Sequence, residues 1–208
     1  MQDKEKFSKQ CIDQARKNAE TRRPMLREFA RAMDEVLSPQ SVVDIGCGPA
    51  FLLEHWAEKD AEVSGLEFSA SEAVAIAADS VRDIIHETDI TKWSIGFNCP
   101  GLLPRKFDLA VSLQVAEHVP AKFADDMVTG ITLLSDTVFF SAAEPGQKGI
   151  GHVNCQPMSY WTEKFLAMGY RTDPEALTAW REKIQAPFNE GRHGNSIRKN
   201  VMIYRRKS

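Results

Sequence analysis

The run Val42-Val43-Asp44-Ile45-Gly46-Cys47-Gly48-Pro49-Ala50 constrains this chain most, because it joins a short apolar strand to a glycine turn and then to a helix predicted over Phe51 to Lys59. Its glycines let the backbone turn sharply and approach a ligand closely, while Asp44 stands at the strand's carboxyl end, where open α/β sheets bind ligands. The pattern reads as a nucleotide-cradling loop, although a glycine turn also serves simple packing.

The spacing that follows strengthens the first reading. A second strand, Ala61 to Leu66, leads to Glu67, about 23 residues beyond Asp44, where a carboxylate can accept hydrogen bonds from both ribose hydroxyls. A third strand, Val81 to His86, leads to Asp89-Ile90, and a fourth, Phe107 to Leu113, is a near-continuous apolar run of the kind a parallel strand covered on both faces requires. Ser112 lies near the end of the fourth strand, and a fifth is expected over Thr137 to Ala142.

The order Asp-x-Gly-x-Gly, an acid after strand two, Asp-Ile after strand three and Phe-Asp-x-x-x-Ser in strand four resembles the class I S-adenosylmethionine-dependent methyltransferases over about residues 40 to 170. That resemblance implies a single α/β domain over 1–208. Its core, 39–208, would be a Rossmann-like, mostly parallel sheet of seven strands with an antiparallel last strand and helices on both faces. It further implies that Asp44, Gly46 and Gly48 hold the methionine part of S-adenosylmethionine, Glu67 the ribose, and Asp89 with Ile90 the adenine, with Ser112 beside them. Ala50 stands where the family often has a third glycine. The competing dinucleotide dehydrogenase reading wants the fuller G-x-G-x-x-G, and the third position after Gly48 is Phe51.

Residues 1–38 form a helical addition, predicted as helices over 3 to 20 and 24 to 37 with Pro24 in the first turn of the second. The resemblance implies a lid over the cofactor; packing on the sheet is the plain alternative.

After strand four, Ser112-Leu113-Gln114-Val115-Ala116-Glu117-His118 places polar groups at the end of an apolar strand, where burial is costly unless they are satisfied. The segment is similar to the V-x-E-H of small-molecule methyltransferases, including quinone O-methyltransferases, and to small-RNA 2′-O-methyltransferases. In some of those relatives Glu-x-x-Glu-His joins a later histidine to hold a divalent ion. Here Gln114 stands for the first glutamate, which weakens affinity for a hard ion, but Gln114, Glu117, His118 and His152 remain a mixed donor set.

His152 lies in a glycine-rich loop, Gly146 to Gly151, ahead of Asn154, Pro157, Tyr160 and Trp161. The G-H-V-N-x-x-P-x-x-Y-W pattern resembles a segment of bacterial methyltransferases of carbohydrate or secondary-metabolite pathways, and would carry His152 and Asn154 toward the methyl group. An alcohol acceptor must lose a proton, which an imidazole can take at neutral pH. We expect His152 as the base, with Glu117 and His118 orienting the acceptor or a metal. Asn154, Tyr160, Trp161, Arg192, His193 and Asn195 are acceptor-binding candidates. For the aromatic pair core packing competes, and for the last three a surface loop.

Composition sets outer bounds. With 208 residues, 43% hydrophobic and 26% charged, one ordinary globular core is expected. A net charge of −3 argues against a dedicated nucleic-acid binder, although the N-terminal helices and the tail from Arg192 are locally basic. Cys11, Cys47, Cys99 and Cys155 form no C-x-x-C pair and read as free thiols. No apolar run is long enough to span a membrane and Met1 to Lys6 lacks the apolar segment of a signal peptide, so a cytoplasmic protein without membrane contact is expected. Together these features point to an O-methyltransferase of a small hydroxylated metabolite. Small-amine N-methylation, RNA 3′-terminal 2′-O-methylation, and a cofactor-binding subunit without turnover are the alternatives.

Overall fold

The structure is a computed structural model that describes residues 2–95, 105–185 and 197–207. Cys99, Arg192, His193 and Asn195 lie outside the described residues. Seven strands, β1 (Ser41–Ile45), β2 (Glu62–Glu67), β3 (Ile85–Glu87), β4 (Leu109–Leu113), β5 (Thr137–Ser141), β6 (Tyr170–Thr172) and β7 (Met202–Arg206), form one sheet in the order β3-β2-β1-β4-β5-β7-β6. β1 to β5 pair in parallel, and β7 runs antiparallel to both β5 and β6. Six strands therefore share a direction and the last opposes them, the Rossmann-like arrangement that the resemblance implies.

Alternation along the strands builds two cores. Val42, Leu109, Val111, Phe139 and Ile203 face helices α2 (Ala19–Leu37), α3 (Glu54–Ala57) and α8 (Pro174–Lys183). Val43, Ile45, Ala110, Val138, Phe140 and Tyr204 face α6 (Ala124–Leu134) and α7 (Met158–Ala167). Consecutive apolar residues such as Val42-Val43 and Phe139-Phe140 are thus both buried, one on each face, as a doubly covered sheet demands. The strand order reverses between β1 and β4, and ligands of such sheets sit in the crevice this leaves beyond the carboxyl ends.

Local departures from expectation have physical reasons. Helix α1 (Gln2–Lys17) ends before Asn18 and α2 starts at Ala19, so Pro24 lies inside α2 rather than in its first turn. The segment after the glycine loop stays in tight turns until Glu54, so α3 has four residues instead of the nine expected from Phe51 to Lys59. β3 starts at Ile85, not Val81, because Asp79–Arg82 is the short helix α5; α4 (Ala70–Val74) precedes it. Val81, Ile84 and Ile85 are spaced as a helix face as well as a strand. The strand expected from Phe107 begins at Leu109, leaving Phe107 as an isolated bridge to Ser135.

Candidate functional site

The glycine turn depends on left-handed backbone. Gly46 has φ 74°, Gly48 φ 52°, and Ala50, in place of a third glycine, accepts φ 58° while fully buried. A Cβ on Gly46 would overlap the Val115 side chain, whereas one on Gly48 would meet no protein atom within 4 Å. Gly46 is therefore required by packing as well as conformation, and Gly48 faces open space. Cys47 packs over Gly65, where a Cβ would come within 2.7 Å of its sulfur, which makes it a packing residue of the loop.

Glu67 ties the loops at the ends of β1 and β2 together. Gly48 N–H donates to its Oε2 at 2.9 Å and Ser69 N–H to its Oε1 at 3.1 Å, while Gly46 and Cys47 N–H both donate to the Leu66 carbonyl. Asp44, 5% exposed, lies nearby, and burial followed by the Glu67 charge pushes its carboxyl up to about 8. After β3, Asp89 Oδ1 accepts from Thr91 N–H at 3.0 Å and from Thr91 Oγ1 at 2.6 Å, closing a turn that opens the 3₁₀ helix Ile90–Ile95.

Beyond β4 the chain turns through Gln114, itself at φ 58°, into a 3₁₀ turn over Ala116–His118. The Glu117 carbonyl accepts from Val153 N–H at 2.9 Å and from Asn154 N–H at 3.0 Å. This pair of bonds fastens the loop after β5 to the loop after β4, and so brings His152 beside Glu117 and His118. The His118 and His152 rings lie 5.1 Å apart at 72°, and one ligand atom from each of Glu117, His118 and His152 falls within 4.8 Å of the others. His118 Nδ1 lies 3.2 Å from the Gly151 carbonyl and His152 Nδ1 3.0 Å from that of Gln147. A carbonyl only accepts, so each Nδ1 carries the proton and each Nε2 presents a lone pair. Gly149 leaves room for the His152 ring, which a Cβ there would overlap.

Glu117 is 1% exposed and neither carboxylate oxygen has a hydrogen-bond partner. Burial pushes its carboxyl up to about 7; the amides of Glu117 and Ala143 oppose the shift from too poor an angle or distance to count as hydrogen bonds. Burial also lowers the His118 imidazole, with the Gly151 carbonyl opposing and His152 adding to the fall.

One cavity of about 580 Å³ joins these parts. Asp44, Gly46, Gly48, Glu67, Asp89 and Ile90 line it, as do Gln114, Glu117, His118 and His152. Ser112, Asn154, Tyr160 and Trp161 do not. Ser112 is fully buried within β4, and Asn154, 2% exposed, accepts from Gln156 at 3.0 Å. Trp161 is core, its ring 5.4 Å from Phe140, and Tyr160 packs edge-on to Trp161 with Lys164 over its face. Gln114 turns its amide nitrogen to Ser141 Oγ at 3.2 Å. The N-terminal helices, for which a lid and packing on the sheet were the two expectations, do both: Cys11, Ile12 and Ala15 of α1, with Arg22, Met25 and Leu26 of α2, close one side of the cavity, and Phe29, Ala30 and Met33 join the core. Which of their residues face the cavity was not named in the sequence, where the alternating charges read as a solvated helix face.

Comparison with known proteins agrees with this geometry. Residues 43–129 match the family model described as a methyltransferase domain. Over 91 residues the chain is 30% identical to the ubiquinone biosynthesis O-methyltransferase of Nitrosomonas europaea, a match covering 42% of this chain and 38% of that protein. Among solved structures it is similar to S-adenosylmethionine-bound CalS10, an amino pentose methyltransferase of Micromonospora echinaspora, with TM-score 0.64 and 13% identity over 91% of this chain and 96% of the other. It is also similar to the small RNA methyltransferase HEN1, with TM-score 0.56 and 12% identity over 88% of this chain and 25% of that one. At such identities the structural likeness is one of fold. Residues 43–129, which carry the glycine loop and the acids after β2 and β3, thus match a methyltransferase-domain family model, and the sheet order is the Rossmann-like one of the solved methyltransferase structures it resembles.

Proposed function

We propose that the protein transfers the methyl group of S-adenosylmethionine to a hydroxyl of a small metabolite, with His152 as the general base. The observation that carries this reading is the single cavity whose wall holds the glycine loop, Glu67 and Asp89 as well as Glu117, His118 and His152. The acceptor oxygen attacks the methyl carbon, the carbon–sulfur bond breaks with its electrons going to sulfur, and the hydroxyl proton passes to His152 Nε2. Aligning donor and acceptor and excluding water supply most of the acceleration, because the sulfonium is already a good electrophile. Glu117 and His118 orient the acceptor. The curated relative's name, an O-methyltransferase of ubiquinone biosynthesis, supports an oxygen acceptor; a small amine is the near alternative, since it needs less from a base.

A second reading rests on the same cluster. Two imidazoles, each oriented by a backbone carbonyl on Nδ1, and a buried carboxylate beside them fit a borderline divalent ion better than magnesium. Such an ion would act as a Lewis acid on the acceptor oxygen.

The test incubates purified protein with methyl-labelled S-adenosylmethionine and cell extract, with and without a chelator. Label in alcohol-soluble metabolites, retained under chelation and reduced about 10²- to 10⁴-fold in His152→Ala, is the expected result. Loss on chelation with rescue by added metal would replace the base reading by the metal one. Label confined to nuclease-sensitive precipitate would overturn the small-acceptor assignment.

A further inference from the structure

His152 is held at its ring as well as along its backbone. The Gln147 carbonyl beside its Nδ1 belongs to a tight turn, Glu144-Pro145-Gly146-Gln147, in which Gln147 N–H donates to the Glu144 carbonyl at 3.0 Å. Gly146 takes the left-handed φ of 87° that the second central position of a type II turn demands, after proline at the first. The Gln147 side chain folds back into this turn, where its Oε1 accepts from Glu144 N–H at 2.7 Å. The same oxygen accepts from Asn200 Nδ2, also at 2.7 Å, and that amide nitrogen donates again to the Ala142 carbonyl at 2.9 Å.

The sheet sets where Asn200 stands. It is 3% exposed, lies two residues before β7 and does not line the cavity. β7 pairs antiparallel with β5 up to Phe140 and Met202, so the same register carried two residues further brings Asn200 level with Ala142, just past the end of β5. A continuous set of bonds therefore runs from the foot of β7 through the Asn200 amide and the Gln147 side chain to the turn whose carbonyl meets the imidazole.

A rival donor sits beside the same ring. Cys155 Sγ lies 3.4 Å from His152 Nδ1 and 3.6 Å from the Gln147 carbonyl. A carbonyl facing Nδ1 keeps the proton there and leaves the lone pair on Nε2, the atom a base needs. A thiol donating to Nδ1 demands the opposite tautomer, with the proton on Nε2. The placing of one carbonyl thus decides which nitrogen is basic.

We propose that Asn200 is a positioning residue for methyl transfer, which through Gln147 holds the carbonyl that keeps His152 in its Nδ1-protonated tautomer. The proposal rests on the reading of His152 as the base. It gives a residue outside the cavity the part that outer hydrogen-bond partners play in orienting functional imidazoles.

Two readouts test it. Imidazole nitrogen NMR at mildly alkaline pH, with the His152 signals assigned by their loss in His152→Ala, reads the tautomer without any acceptor. Label passed from methyl-labelled S-adenosylmethionine to cell extract reads the reaction. Asn200→Leu is nearly isosteric and has no donor, and Asn200→Ser, which keeps one donor, is the milder variant should the first fail to fold. Both are expected to move His152 toward the Nε2-protonated form. Label incorporation is expected to fall about 10- to 100-fold in Asn200→Leu and less in Asn200→Ser, while S-adenosylhomocysteine affinity stays within about twofold. In a His152→Ala background the same substitutions are expected to change nothing further, since they act through that ring. An unchanged tautomer in both variants would overturn the proposal. So would an equal fall in incorporation in the His152→Ala background, or a matching loss of S-adenosylhomocysteine affinity, each the mark of general damage. Undiminished incorporation in His152→Ala itself would instead sink the base reading, and this proposal with it.

Discussion

Burial, with the Glu67 charge, pushes the Asp44 carboxyl up to about 8 against an ordinary 3.8. The folded protein therefore keeps a proton here that the unfolded chain releases above pH 4. This group's contribution to stability is present at low pH and is lost as pH rises toward 8. Asp44→Asn removes the titration. In the ligand-free protein it is expected to be more stable than the parent at pH 8, by about 1–3 kcal/mol, with the gap shrinking toward pH 5. Urea midpoints across that range check it, and a gap independent of pH would contradict the assigned cause. The two loop glycines separate differently. Gly46→Ala carries both the left-handed strain and the overlap with Val115, and is expected to cost about 1–3 kcal/mol. Gly48→Ala pays only the conformational part, about 1–2 kcal/mol, but places a methyl group in the space kept for ligand and should lose affinity for S-adenosylhomocysteine. Equal affinities of Gly48→Ala and parent would contradict that use of the space. The motif showed that this loop holds ligand; that Gly46 is fixed by Val115, across from it on the β4 loop, needed the fold.

Elements carry the site by being held in place, and α2 depends on α8. Trp180 is fully buried, donates through its indole N–H to the Phe29 carbonyl at 3.2 Å, and packs on Phe29 and Phe139 with centroids 5.4 and 4.8 Å away. Trp180→Ala is expected to cost about 3–5 kcal/mol and, because it loosens a helix of the cavity wall, to weaken S-adenosylhomocysteine as well. Stability lost without affinity lost would separate α2 from the site. Strong strands such as β1, β4 and β5 were legible because doubly buried strands are apolar throughout. β6 was not located in the sequence, since three residues, Tyr170, Arg171 and Thr172, carry too little periodicity to mark an edge strand. For Tyr160 and Trp161 core packing was legible for the pair, but that Trp161 is the core member was not, because which face of α7 meets the sheet is decided by the packing of Phe140 and Phe165.

At the scale of the whole molecule, the sheet brings two sequence-distant groups to one crevice: the loop after β1 with Glu67 and Asp89, and Glu117 with His118 and His152. Each group was visible in the sequence. Their shared cavity was not, because it depends on the strand reversal between β1 and β4 and on the Glu117 carbonyl that fastens the His152 loop. Much of the basic surface is spoken for: Arg205 pairs with Asp173, and Lys106 and Arg206 with Asp136. Among the described residues no helix is long and apolar enough to cross a membrane. Cofactor binding should stabilise the whole fold by mass action, about 2.7 kcal/mol at a hundredfold excess over Kd, measurable as a rise in melting temperature. The most direct single measurement is a crystal structure with S-adenosylhomocysteine. The expected result has the ribose hydroxyls on Glu67, the adenine beside Asp89 and Ile90, and the sulfur facing the side of the cavity that holds Glu117, His118 and His152. A sulfur turned away from that cluster, or a nucleoside bound outside this cavity, would contradict the assignment of donor and acceptor to one site.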